Sequence, residues 1–196
     1  MVESRLQQIE EAASLLFRAR GYAATSVRDI ARSIDLQGGS LYAHVASKED
    51  LLWAIVGRAA DRFQAVVRPI AEDTSRSAAE RLRAMVHAHA RVVTDDLGNA
   101  TVFLHEWRFL GDTRRAETAQ RRDDYELLFR RVLTEGRDAG EFETDDPKLA
   151  ATLILSALNG IAGWYRSDGP LTPETIATHY AASFTRALGP NGGIDR

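Results

Sequence analysis

At 196 residues, with 44% hydrophobic and 27% charged side chains, the chain can form one large or two small globular domains around a substantial core. It has no cysteine, which excludes disulfides, thiolate metal sites and cysteine nucleophiles and is compatible with a reducing cytoplasm. A net charge of -3 leaves no overall basic footprint, so any contact with nucleic acid has to come from a local patch.

The opening stretch MVESRLQQIEEAASLLF is charged and amphipathic and lacks the apolar centre of a signal peptide. No later apolar run approaches the roughly 18 residues of a membrane span, so a soluble cytoplasmic protein is expected. Prolines at positions 69, 147, 170, 173 and 190 fall where helices could begin or end, and apolar residues between them recur at helical spacing. The expected fold is all-α, with about nine helices.

Leu6, Ile9, Ala13, Leu16 and Phe17 form the first stripe, which stops at Gly21, a residue suited to a helix C-terminus. Thr25 or Ser26 can cap a short second helix in which Val27, Ile30, Ala31 and Ile34 face inward. After DLQGG and a brief SLYAHV, Ser47 and Asp50 make a capping-box-like start to a long stripe of Leu51, Leu52, Ile55, Ala59, Phe63, Val66 and Ile70. Three middle helices follow: one with Leu82, Met85, Val86, His89 and Val93 on a face, one carrying TVFLHEWRFL, and one with Tyr125, Leu128, Phe129, Val132 and Leu133. They can enclose a solid core or a ligand cavity. Asp146-Pro147 then opens a helix with Leu153, Ala157, Gly160, Ile161 and Trp164 on one stripe, and Thr172-Pro173 opens a last one with Ile176, Tyr180, Phe184 and Leu188. Gly160 and Gly163 leave room for another helix, so these two helices are the expected dimer interface, the alternative being that both bury these faces within one monomer. The end, GPNGGIDR, reads as a mobile tail.

Two short helices joined by a tight turn, the second opening on small residues, form a helix-turn-helix pattern. The second helix of such a unit meets base edges in the major groove, which places Gln37, Gly38, Gly39 and Ser40 at the DNA. Base readout by Gln37 requires a well-placed adenine. The string TSVRDIARSIDLQGGSLYAHVASKEDL resembles the DNA-binding domain of the TetR family of bacterial repressors. The resemblance rests on Thr25 or Ser26, Ile30-Ala31, Gly39-Ser40-Leu41-Tyr42, His44, Ser47-Lys48-Glu49 and Leu51. It implies that Thr25, Ser26 and Arg28 face the DNA backbone, that Tyr42 and His44 reach phosphates or base edges, and that Lys48 clamps a phosphate at a helix N-terminus. Two departures stand out. Asp35 replaces the usual turn glycine, where Asp tolerates the left-handed conformation, and Val45 replaces the usual Phe.

The family resemblance implies a helix-turn-helix domain over residues 1–48, an effector-binding and dimerisation domain over 49–188 and the tail over 189–196. It makes Phe103, His105, Trp107, Tyr125 and Phe129 candidates for an effector pocket, and His89 either a hydrogen-bonded core residue or one polar anchor of that pocket. The ending GWYRSDGPLTPETIATHYA is similar to the branch of the family that responds to acyl-CoA thioesters, a weaker likeness than the DNA-binding string. In RRAETAQRRDDYELLFRR, Arg114 with Arg121 and Arg115 with Arg122 share faces and could hold an anionic effector, or pair with nearby carboxylates as an ordinary solvated face. His87 and His89 stand two apart and point to different sides, and HEWRF lacks the second His of HExxH, so no metal or cofactor site is expected. No catalytic constellation is found. A ligand-responsive regulator that binds palindromic operator DNA as a homodimer is therefore expected over a helical ligand-binding protein without operator binding, or an enzyme.

Overall fold

The computed structural model describes residues 5–36 and 41–189. Among the described residues there are eight α-helices and no strands, close to the nine or so expected. No helix is long and apolar enough to cross a membrane among them.

The chain divides into two compact units. The first runs up to Asp61 and adds Asp96–Arg121; the second comprises Arg62–Asp95 and everything from Arg122 onward. In the first unit, α1 (Arg5–Arg20) buries Ile9, Ala13 and Phe17, and Gly21 ends it at φ +82°. The short α2 (Val27–Ser33) buries Ile30 and Ala31. The first part of α3 (Lys48–Ala71) buries Leu51, Leu52, Ile55 and Val56. Against α1 lies the five-residue α5 (Leu97–Thr101).

The stretch expected as one helix through TVFLHEWRFL departs from that expectation. It widens into a π turn over Val102–Glu106 and tightens into a 3-10 turn over Trp107–Phe109. An α-helix rotates about 100° per residue, so the three consecutive buried side chains Val102, Phe103 and Leu104 would sweep over half its circumference; a wider turn narrows that arc.

The second unit is built from the end of α3, α4 (Ala78–Asp95), the latter part of α6 (Asp112–Asp138), α7 (Pro147–Trp164) and α8 (Pro173–Leu188). Here α4 packs against α7 and α8. Pro69 sits in the last turn of its helix, which closes at Ala71. Arg81 covers that end: almost wholly buried, it donates to the Ala71 carbonyl at 3.0 Å and pairs with Glu135 at 2.7 Å. The opposite end of the connection is capped from afar, because the Glu141 carboxylate accepts from the Ala79 and Ala78 N–H groups at 2.8 and 3.2 Å. The other caps are local and as expected. Asp146 accepts from Lys148 and Leu149 with proline following, and Thr172 accepts from the Thr175 N–H before Pro173 opens α8.

Candidate nucleic-acid interface and sensor core

The second helix of the first unit is held by bonds within a few residues of sequence. The Ser26 hydroxyl accepts from the Asp29 N–H at 3.2 Å while Asp29 accepts from the Ser26 N–H at 2.9 Å, a complete capping box. These bonds to Ser26, with the charge of Arg32 behind them, hold the Asp29 carboxyl below the usual carboxylate range. Arg28 remains exposed. Thr25 does not face outward as expected. It is buried, and its hydroxyl donates to the Gly21 carbonyl at 2.9 Å, fastening the start of α2 to the end of α1.

The exit from α2 is a Schellman turn, with the Leu36 N–H donating to Ala31 O at 2.9 Å and Asp35 at φ +54°. Asp35 therefore occupies the left-handed position usually left to glycine, as its place in the sequence suggested. Gln37, Gly38, Gly39 and Ser40 lie outside the described residues. Beyond them Leu41 is fully buried, and Tyr42 and His44 are exposed, Tyr42 at 57%.

Lys48 is turned inward instead of toward a phosphate. Its ammonium donates to the carbonyls of Tyr22 and Thr25, both at 2.9 Å, and lies 4.0 Å from the centre of the Tyr22 ring. Two of its three protons are thereby used, and burial lowers its pKa. Tyr22 is gripped from the other side too: its N–H donates to Glu106 at 2.9 Å and its ring stacks on Phe109 at 5.5 Å. Next to it, Glu49 accepts from the Gly111 N–H at 3.1 Å and Arg114 donates to Asp50 at 2.6 Å. The end of α1 and the start of α3 are thus tied to the segment between the π turn and α6.

The arginine strip is spent on such pairs. Arg114 holds Glu49 and Asp50, Arg115 holds Asp112, and Arg121 holds Asp61. Among the described residues no group of three or more His, Asp or Glu is placed to hold a metal.

In the second unit His89, Tyr125 and Phe129 come together, as the helical stripes suggested, with Phe63 completing the cluster. The His89 and Phe63 ring centres are 4.8 Å apart, and His89 Nδ1 is 2.9 Å from the Tyr125 hydroxyl. The remaining pocket candidates are not in this unit. Phe103 is buried in the first unit, Trp107 is half-buried there and His105 is exposed.

Complete burial pushes the His89 pKa down from 6.5 to about 3, with Asn159 opposing the shift and the charge of Arg122 adding to it. The ring is neutral in the folded protein at neutral pH, whereas in the unfolded chain it takes a proton near 6.5. The unfolded state therefore binds more protons between these values, and stability falls as pH drops through 6.5, by about 1.4 kcal/mol per pH unit. His89→Gln is expected to flatten the pH dependence of urea unfolding between neutral pH and pH 5 by one proton's worth. An unaltered slope in the variant would place the titration elsewhere.

On α7 the residues Leu149, Leu153, Gly160 and Trp164 share one exposed face, with Leu153 at 67% and Trp164 at 46%. A Cβ built on Gly160 or Gly163 meets nothing within 4 Å. Ala157, Tyr180 and Phe184 are half-buried, the two rings meeting edge-on at 5.9 Å. Ile161 and Ile176, expected on the same outer surface, are instead buried at 0% and 3%. Both serve the unit's own core.

Residues 9–55 match the description "Bacterial regulatory proteins, tetR family", and residues 75–188 match "Tetracyclin repressor-like, C-terminal domain". The chain belongs to the TetR family. It is 30% identical over 183 residues to the helix-turn-helix transcriptional repressor KstR2 of Mycobacterium tuberculosis, covering 92% of this chain and 91% of that one. The crystal structure of M. tuberculosis KstR2, a ketosteroid transcriptional regulator, superposes with a TM-score of 0.91 at 28% identity, covering 97% and 98% of the two chains. AibR, solved in complex with isovaleryl coenzyme A and operator DNA, superposes with a TM-score of 0.82 at 29% identity, covering 95% and 99%.

In this TetR-family transcriptional regulator, Tyr22 and Lys48 make structural contacts that sequence reasoning missed. Nothing local in the sequence distinguishes Tyr22, Glu106 and Phe109, and Tyr22 and Glu106 are 84 positions apart. The family motif points to Lys48, but its partners lie 23 and 26 residues upstream.

Proposed function

We propose that this TetR-family regulator represses transcription in the cytoplasm by binding a palindromic operator as a homodimer and releases it when a small-molecule effector, of the acyl-CoA class, occupies the sensor unit. The exposure of Tyr42 and His44 on a helix-turn-helix braced by the Ser26 capping box and the Asp35 turn carries the reading. Arg28 and Ser26 are exposed as well, and Gln37, Gly38, Gly39 and Ser40 fall between the turn and Tyr42 in sequence. Residues 1–48 thus do the DNA binding and 49–188 the sensing and pairing. AibR, with its isovaleryl coenzyme A and operator DNA, supports both the DNA and the thioester.

One such domain has few cations to spend, so affinity requires two, set about 34–36 Å apart to meet successive major-groove faces. The open stripe Leu149, Leu153, Gly160, Trp164 on α7, with the half-buried Tyr180 and Phe184 of α8 as further candidates, offers a face for that pairing. Leu153→Asp is expected to shift the protein from dimer to monomer in sedimentation velocity and to weaken operator binding more than tenfold, because it buries two unpaired charges at a two-fold interface. A variant that stays dimeric would move the interface off this face.

The effector is expected to bias helices α3 and α6, each of which continues from one unit into the other. Fluorescence anisotropy with DNA from upstream of the protein's own gene, at several salt concentrations, tests the DNA reading, and titration with isovaleryl-CoA tests release. Binding without salt dependence, or thioester and DNA bound together without mutual effect, would sink the respective half.

A further inference from the structure

The sensor core contains a hydrogen-bonding atom that the fold leaves unused. His89 is 1% exposed, enclosed by Phe63, Tyr125 and Phe129, and its Nε2 has no hydrogen-bond partner. The partner of its other nitrogen fixes what Nε2 offers. Tyr125 is itself buried, which raises its pKa well above the usual value and keeps the hydroxyl protonated. That O–H needs an acceptor, and Nδ1 at 2.9 Å supplies it. The ring proton then sits on Nε2, a neutral N–H donor in an aromatic enclosure. Asn159 lies close enough to favour the protonated ring but does not complete a hydrogen bond at Nε2.

A buried donor left unpaired costs about 1–3 kcal/mol, and a partner arriving with a ligand recovers it. A carboxylate or phosphate is a poor match for this place, because it would lose its hydration among Phe63, Tyr125 and Phe129, a cost that the charge of Arg122 offsets only in part. A neutral oxygen on a hydrocarbon body fits both requirements, the oxygen accepting from Nε2–H and the apolar body lying against the rings. Building on the acyl-CoA reading above, we propose that His89 selects effectors whose acyl group carries a hydroxyl or keto oxygen over those with a plain hydrocarbon chain. The discrimination follows the rule that a site built to hydrogen-bond a polar group rejects the analogue lacking it, since the unused donor stays buried and unpaired.

Matched acyl-CoA thioesters of equal chain length, plain and bearing a β-hydroxy or β-oxo group, supply the test, with binding measured by calorimetry and operator release by anisotropy. The oxygenated member of at least one pair is expected to bind about tenfold or more tighter. His89→Phe, which keeps an aromatic ring and removes the donor, is expected to abolish that preference, bringing the ratio of the two affinities to about one. Nitrogen-15 NMR of the wild-type imidazole gives a readout independent of the variant's folding: the Nε2 resonance shifts with the oxygenated ligand and stays put with the plain one. Equal binding of both members overturns this inference and leaves the thioester reading standing. Failure of every thioester to bind overturns both, and a preference that survives in His89→Phe assigns it to another residue.

Discussion

Replacing Gly136 by alanine is expected to destabilise the second unit by about 1–3 kcal/mol, even though alanine gains about 1 kcal/mol over glycine as a helix former. The added Cβ would stand 2.3 and 2.4 Å from ring carbons of Phe142 and 2.9 Å from the Cβ of Ala78, neither of which can swing aside, since Phe142 is 3% and Ala78 2% exposed. The disturbance spreads because the same carbonyl, Gly136 O, accepts from the N–H groups of Glu141 at 2.8 Å and Phe142 at 3.2 Å. Glu141 in turn caps the first turn of α4. Gly136→Val should exceed the alanine cost. Urea unfolding of Gly136→Ala, Phe142→Leu and the double variant measures the coupling: the double variant is expected to be more stable than the sum of the single losses, because the smaller side chain vacates the space the methyl needs. Strict additivity would mean that the backbone, not the ring, absorbs the intrusion.

The second large effect concerns DNA and separates two residues that the family resemblance treats alike. Tyr42→Ala is expected to weaken operator binding more than tenfold with a stability change within about 0.5 kcal/mol, because the side chain is 57% exposed. Lys48→Ala is expected to weaken binding by a comparable factor and also to destabilise the first unit, by about 1–2 kcal/mol after discounting for partial exposure. It strips two carbonyls of their charged donor and the Tyr22 ring of its cation. Anisotropy and thermal unfolding on the same samples read the two effects. If Lys48→Ala lost DNA binding at full stability, with the salt slope reduced by about one counterion, a direct phosphate contact would account for Lys48 better than its internal bonds do.

The Arg114 strip shows why the site was only partly legible. Its spacing on one helix suggested either a basic face or pairs within that helix, and one such pair, Arg130 with Glu126 at 3.8 Å, is present. Arg121 instead reaches Asp61, and Arg114 reaches Glu49 and Asp50, all on α3 some 60 positions away. The aromatic candidates separate for the same reason. His89, Tyr125 and Phe129 lie on faces whose partners the helical period reveals, whereas Phe103, His105 and Trp107 occupy a π and a 3-10 turn that break the period.

Sequence alone determined the all-α class, several helix ends and the family. Each of these depends on residues within a few positions of one another: Ser26 with Asp29, Ser47 with Asp50, Asp146 before Pro147, and the left-handed Asp35 after α2. Tertiary structure decided where charge and hydrogen bonds are spent. Thr25 and Lys48 brace the helix-turn-helix from inside, Ile161 and Ile176 turn to the core while Leu153 and Trp164 stay open, and His89 keeps one donor in reserve. The physical reason is distance along the chain, because a side chain's nearest capping group is encoded next to it, whereas the carboxylate, carbonyl or ring that claims its charge is brought there only by packing.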